Sequence, residues 1–292
     1  MRLEAAIFAA RSRSADHVTL VVVSVKKGRR RVDIVTRDDL ITDLRDLGVE
    51  DGMVVLAHTS LSRLGNVVGG EQAVIEALLT AVGRSGTVVM PAQSWQLCDP
   101  AYLAESADPP QEMWQTIRDH LPAYDPAVTP TRTMGAVAEL FRTIPGALRS
   151  GHPHRSFAAV GARAGEIVAV HDLDCPNGER SPLRTLYDLG AWTLLLGVGH
   201  DKSTILHLAE HRSGTLHETV RNGAPLLIDG VRQWVEYDEI VVQDHDFDEV
   251  AAAFAHDIGL QRTGRVGQAV AQLVPQRDLV DYAAQWFRHH RG

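Results

Sequence analysis

The chain repeatedly couples a short, unbroken apolar run to a loop of small polar residues and then to an apolar stripe at helical spacing. Met53 to Ala57 is such a run, and it passes directly into His58-Thr59-Ser60-Leu61-Ser62-Arg63-Leu64-Gly65. A run that short and continuous reads as a strand buried on both faces. After Gly69-Gly70, Ala73 to Val82 carries Ile75, Leu78 and Leu79 on one side, and Gly86 to Pro91 reads as the next strand. Strand, helix and strand in that order imply a parallel pair. An earlier amphipathic helix opens at Thr36 as N-cap, presents Leu40, Ile41, Leu44 and Leu47, and stops at Gly48.

Further along, Ala136 to Phe141 reads as a helix, and Phe157 to Gly161 and Leu194 to Gly199 read as strands. The second of these enters His200-Asp201-Lys202-Ser203-Thr204 and a helix through Leu206, His207, Leu208 and Glu210. Leu226 to Asp229 and Gln233 to Ile240 flank an Asp229-Gly230 turn as antiparallel strands, and Val266 to Trp286 is expected to be helical. The fold class is α/β, with a mixed, largely parallel sheet and helices on both faces. Residues 35–292 form one domain, interrupted by an excursion at about 92–133 that is rich in Pro, Asp and aromatics. Residues 1–34 do not resemble the rest and are expected to be a poorly ordered, atypical extension.

Charge separates the same two segments. Of the net −8, residues 1–35 carry eight Arg/Lys against three Asp/Glu, so the remainder stands at −13. An acidic body repels nucleic acid and anionic lipid and favours a small cationic ligand. No apolar run reaches the ~18 residues of a spanning helix, which gives no membrane role. The two cysteines, Cys98 and Cys175, lack metal-type spacing and fit a reducing compartment, so the expected location is cytoplasmic.

Strand ends are where α/β sheets place their sites. The loop from Thr59 to Gly70 has the free N–H groups and the following helix N-terminus that can cradle a pyrophosphate; an ordinary βα turn is the competing reading. It matches neither G-x-G-x-x-G nor G-x-x-x-x-G-K-[ST]. Fourteen histidines are present, many beside loops. His207 and His211 stand four apart with Glu210 between them, so one alternative is a metal-dependent hydrolase that also uses His200 and Asp201. H-E-x-x-H is absent. A general base asks for less: one histidine held by a carboxylate.

An ordered set of motifs resembles the aminoglycoside 3-N-acetyltransferase (antibiotic N-acetyltransferase) family. It comprises His58 to Gly65 with Val68-Gly69-Gly70, Asp125 to Gly135, Arg149-Ser150-Gly151-His152-Pro153 with Ser156 to Ala159, Ser181-Pro182, Leu195 to Glu210, Val266 to Ala269 and Leu279 to Tyr282. The likeness implies a three-layer α/β/α sandwich, acetyl-CoA as co-substrate, no metal, and an aminoglycoside as the polycationic acceptor. Its activity would be acetylation of the 3-amino group of the deoxystreptamine ring, conferring antibiotic resistance, in a monomer or homodimer. The family's catalytic histidine matches His207 in Thr204-Ile205-Leu206-His207, and its partner carboxylate matches Glu239 in Val235-Glu236-Tyr237-Asp238-Glu239. Strand alternation sends Asp238 and Glu239 to opposite faces, so only one register serves.

The chemistry asks for such a pair, because the acceptor amine is an ammonium ion at neutral pH and must lose a proton to attack a thioester. Thr59 or its neighbouring N–H groups would meet the developing oxyanion. Neither cysteine lies in a family motif, which implies direct transfer without an acyl-enzyme. By the same resemblance, His58, Thr59, Ser60, Leu61, Ser62, Leu64, Gly65, Val68, Gly69 and Gly70 approach the coenzyme, joined by Arg149, Ser150, His152 and Ser156. The acceptor cleft falls to the excursion and nearby acids: Trp95, Asp99, Trp114, Tyr124, Asp125, Asp174, Glu179 and Glu210. His154 and Arg155 receive no role. Other readings are acetylation of a different small amine, and a coenzyme- or antibiotic-binding protein without turnover.

Overall fold

A computed structural model of the chain describes residues 34–103 and 110–292, so the expectation for residues 1–33 lies outside the described residues. In chain order the elements are β1 (Ile34–Val35), α1 (Arg37–Leu47), β2 (Val54–Thr59), β3 (Asn66–Val67), α2 (Gly70–Val82), β4 (Thr87–Pro91), α3 (Trp114–His120) and α4 (Gly135–Phe141). There follow β5 (Leu148–Arg149), β6 (Phe157–Gly161), α5 (Ala164–Val168), α6 (Pro182–Asp188), β7 (Trp192–Leu196), α7 (Leu206–Ser213), β8 (Thr219–Ile228) and β9 (Val231–Ile240). The chain closes with α8 (Phe247–Asp257), β10 (Arg262–Val266), β11 (Ala269–Pro275) and α9 (Gln276–His290).

Local chemistry explains the early elements. Thr36 and Asp39 cap α1 reciprocally, each side chain accepting from the other's backbone N–H, and Gly48 closes the helix at φ 104°. Leu40, Leu44 and Leu47 are thereby turned into the core.

The central sheet has the strand order β10-β11-β7-β2-β4-β6-β5. It is mixed, and its parallel part is the central trio: β2 runs parallel to β4 and to β7, while the outer neighbours are antiparallel. The α2 crossover returns the chain in parallel between β2 and β4, whereas a tight turn such as β10–β11 gives an antiparallel pair. Alternation along these strands divides the core in two. Val55, Ala57, Val88 and Met90 pack with α1, α2 and α4, whereas Leu56, Val89, Phe157 and Ala159 pack with α5 to α9. Helices therefore cover both faces of the sheet, and polar groups collect at its ends. Thr59, Pro91 and Leu196 end their strands on the same edge, and Phe157, which opens β6, lies opposite Pro91 there. The β8–β9 hairpin forms its own sheet around Asp229 (φ 51°) and Gly230 (φ 77°). Among the described residues no helix is long and apolar enough to cross a membrane.

The expected helix from Val266 to Trp286 is corrected. Ala269 to Pro275 is a strand, with Ala269, Ala271 and Leu273 buried and Val270 60% exposed, and α9 begins only at Gln276. A period of two governs that stretch, and the turn ahead of it needs Gly267 at φ 56°. A Cβ on Gly267 would stand 2.6 Å from the backbone oxygen of Leu64, in the loop after β2. Gly267→Ala should therefore lower stability by about 1–3 kcal/mol in urea melts. An unchanged midpoint would contradict this account of the turn.

Candidate active site

The polar edge of the sheet opens into a cavity of about 730 Å³. Ala57 to Ser62 at the end of β2 form one wall, Pro91, Gln93 and Trp95 beyond β4 a second, and Thr133 to Ala138 at the start of α4 a third. The loop after β7 contributes Val198 and Asp201 to Thr204, α7 contributes His207, and the approach to α8 contributes Val242, Asp244 and Phe247. Segments far apart in sequence thus meet at the edge where β2, β4 and β7 end.

Within this cavity His207 lies in the first turn of α7, with Glu210 three residues later on the same face. The His207 Nδ1–H donates to Glu210 Oε2 at 2.6 Å. The carboxylate is fully buried while the imidazole keeps 15% exposure. Glu210 Oε1 accepts the Gln243 N–H at 2.9 Å, and the Phe247 ring stands 5.0 Å from that of His207. Nδ1 is committed to the carboxylate, which fixes the tautomer and leaves Nε2 to accept a proton. A histidine so held is a general base beside a cavity.

The neighbouring polar groups are mostly neutral. Burial pushes His58 down to about 3, helped by His200 and His207, so it stands uncharged beside Thr204, whose Oγ lies 3.4 Å from Nε2. The buried Ser203 hydroxyl has no hydrogen-bond partner among the described residues. Arg155 is the buried cation of the wall, its guanidinium 4.7 Å from the Trp95 ring centroid and paired with Glu239. Asp201, bridged to Lys202 at 2.9 Å, and Asp244 supply exposed carboxylates.

The sequence profile described as Aminoglycoside 3-N-acetyltransferase matches residues 56–288. The chain belongs to the aminoglycoside 3-N-acetyltransferase family. It is 42% identical over 255 residues to the SPbeta prophage-derived aminoglycoside N(3')-acetyltransferase-like protein YokD of Bacillus subtilis (strain 168), covering 86% of this chain and 92% of that one. A crystal structure of YokD superposes with a TM-score of 0.84 at 41% identity, over 87% of this chain and 94% of that one. Aminoglycoside N(3)-acetyltransferase VII of Streptomyces paromomycinus is 36% identical over 88% of this chain and 93% of its own. The structure of AAC-IIIb in binary complex with CoASH superposes with a TM-score of 0.80 at 31% identity, over 89% of this chain and 98% of that one. As a member of this family the protein is an acyltransferase.

Several residue expectations drawn from the acetyltransferase resemblance need correction. Glu239 does not meet His207: its oxygens accept from Arg155 Nη2 at 3.2 Å and Nε at 3.4 Å and from Asn222 Nδ2 at 3.3 Å. Alternation does bury Glu239 and expose Asp238, but the inner face of the hairpin meets the segment before β6 rather than α7. The carboxylate that serves His207 is Glu210, expected instead in the acceptor cleft. The 149–156 segment is a brace. Arg149 donates to the carbonyls of Ala92 and Thr129, both at 2.5 Å, and to the hydroxyls of Ser94 and Ser156, leaving no fork for a phosphate. Ser150, His152 and Ser156 are fully buried, bonded respectively to the Phe157 N–H, the Arg155 N–H and the Ala92 carbonyl.

Of the loop after β2, His58, Thr59, Ser60, Leu61 and Ser62 line the cavity, whereas Leu64, Gly65, Val68, Gly69 and Gly70 lie off it. Trp95 lines it as well. Other acceptor candidates are engaged elsewhere: Asp99 with Arg118, Glu179 with Arg184 and Arg212, the Tyr124 hydroxyl with the Ser150 carbonyl, and Asp125 with the Ala127 N–H. Trp114 and Asp174 also lie off the cavity walls. Asp244 escaped sequence reasoning because Asp244-His245-Asp246 looks like any solvated acidic stretch. The metal alternative finds no ligand set. His207 is taken by Glu210 and His200 by Gln261, and among the described residues no three His, Cys, Asp or Glu side chains are placed to hold a metal ion.

Two expectations separate these roles. Glu239→Ala strands the buried Arg155 charge and should cost about 3–5 kcal/mol of stability by urea denaturation. Glu210→Gln should instead lower turnover; equal effects on turnover from the two variants would refute the reassignment. The second concerns acid. His58 and His171 are pushed down to about 3 and His154 to about 4, chiefly by burial, from an ordinary 6.5. Below that value the unfolded chain binds protons that the folded chain refuses. Stability should therefore fall as pH drops from 6.5, by about 1.4 kcal/mol per unit for each such histidine, until the folded values are reached. Urea midpoints that hold constant between about pH 7 and 5 would overturn this.

Proposed function

We propose that this chain transfers the acetyl group of acetyl-CoA directly to the 3-amino group of an aminoglycoside's deoxystreptamine ring, in the cytoplasm and on a three-layer α/β/α scaffold. The observation that carries the reading is the His207–Glu210 pair, presented to a cavity at the strand ends in a chain of this family. The CoASH complex of AAC-IIIb supports the donor, and the names of the relatives support the acceptor.

His207 Nε2 takes the proton from the acceptor ammonium, and the freed lone pair attacks the thioester carbonyl. The C–N bond forms, the C–S bond breaks, and the coenzyme leaves as a thiolate that takes up the second proton released by the acetylated nitrogen. Glu210 holds the imidazole in the productive tautomer and offsets the imidazolium charge once the proton has moved. The hydroxyls of Thr59, Ser203 and Thr204 line the same cavity and are the donors within this chain for the transient oxyanion. Asp201 and Asp244 favour a polycation at the same walls, and acetylation of one amine removes a charge on which a polycationic drug depends. That loss is the basis of resistance.

The test is free thiol release from acetyl-CoA with a panel of aminoglycosides. Drug-dependent release should fall by about 10²- to 10⁴-fold in His207→Ala. Glu210→Gln should lower kcat with little change in the KM for acetyl-CoA. Saturable coenzyme binding without release on any aminoglycoside would move the acceptor to another amine.

A further inference from the structure

Glu210 has one more partner, and it comes from the far end of the chain. Arg291, just after α9, donates from Nη1 to Glu210 Oε1 at 2.5 Å. The same guanidinium donates from Nε to Asp246 Oδ2 at 2.7 Å, from Nη2 to Asp246 Oδ1, and from Nη2 to the Gln243 carbonyl at 3.2 Å. Its carbon sits 3.9 Å over the Phe287 ring. The side chains of Arg291 and Asp246 are 8% and 9% exposed. This is a built contact rather than a surface pair, because every donor group of the fork has a protein acceptor and the stack fixes its plane.

Two routes lead from this guanidinium to His207. One is direct: Glu210 Oε1 is bound by Arg291 and the Gln243 N–H, so Oε2 is turned toward the imidazole. The other runs through Asp246, which precedes Phe247, the ring packed against His207 and, at 6.1 Å, against Phe287. We propose that Arg291 is a positioning residue for the His207–Glu210 pair, setting both the orientation of the carboxylate and the proton affinity of the pair. This rests on the reading of His207 as the base.

The electrostatic sign follows from charge alone. Facing the pair are His58 from β2, Asp201 and Lys202 from the turn after β7, and His211 from α7 itself. Arg155 lies ahead of β6, Asp244 and Asp246 ahead of α8, and Arg291 beyond α9. Of the two arginines, only Arg291 touches Glu210. Whichever member of the pair carries the proton, removing that cation makes the pair hold it more tightly. The acidic limb of the rate profile must then move to higher pH.

The experiment compares the full chain with Arg291→Met, Arg291→Lys and His207→Ala. It records kcat against pH by thiol release with acetyl-CoA and the fastest aminoglycoside of the panel, and follows the imidazole titrations by NMR, with His207→Ala assigning the His207 signal. Arg291→Met should lower kcat roughly tenfold and raise both the acidic limb and the His207 midpoint by about half a unit to one unit. Arg291→Lys keeps the charge but not the fork, so its limb should stay near wild type while kcat still falls; if the Met variant does not fold, this split carries the test. Wild-type profiles and midpoints in both variants, with only a lower melting temperature, would reduce Arg291 to a structural tie and overturn the proposal. Turnover that survives His207→Ala would overturn the base itself, a result distinguishable because it does not involve Arg291. With no turnover on any aminoglycoside, the NMR midpoint alone decides for or against Arg291.

Discussion

Burying the β7-β2-β4 trio on both faces is the constraint from which the rest of the molecule follows. A strand covered on two sides can carry almost nothing polar along its length, and Val54–Thr59 becomes polar only at His58 and Thr59. Chemistry is therefore displaced to the strand ends. Because β2, β4 and β7 run the same way, their ends lie together, and loops far apart in sequence share one cavity. Antiparallel β6 joins that convergence because it starts at the same edge, just after Arg155 of the cavity wall.

Displacing polar groups to an edge does not make them all exposed. Two buried carboxylates, Glu210 and Glu239, flank the cavity, each satisfied by an arginine and by amide N–H donors. Such pairs are costly to assemble and more costly to break, so each holds its neighbours in a single arrangement. They hold different things. Glu239 steadies Arg155 beneath Trp95 and ties the hairpin to the cavity wall, whereas Glu210 steadies an imidazole that can accept a proton.

The scaffold was legible in the sequence wherever a local rule was decisive: the Thr36 N-cap of α1, the unbroken runs of β2 and β4, and the Asp-Gly turn of the hairpin. It was illegible where two periods competed, as in Ala269 to Pro275, whose small residues fit either a helix or a strand until β7 pairs with them. His207 was reached through resemblance, and its partner was missed although the three-residue spacing to Glu210 stood in the sequence. Spacing fixes proximity on a helix, but it does not say which carboxylate will be buried. The 149–156 segment misled for a related reason: Arg, Ser and His can bind a phosphate or satisfy backbone carbonyls, and only tertiary packing decides.

The histidines fit the same logic. His58, His152 and His154 are buried and His171 is half-buried, and desolvation holds each of them neutral at physiological pH. A neutral imidazole still donates and accepts, so it can satisfy a crowded polar region without adding charge. Beside a cavity suited to a polycation this matters, because each extra positive wall would repel the ligand and raise the cost of forming an imidazolium at His207. The wall cations that do occur are balanced nearby: Arg155 by Glu239 and Lys202 by Asp201. The charge that changes during the proposed reaction is then mainly the proton passing to His207, in a setting whose wall cations are already paired.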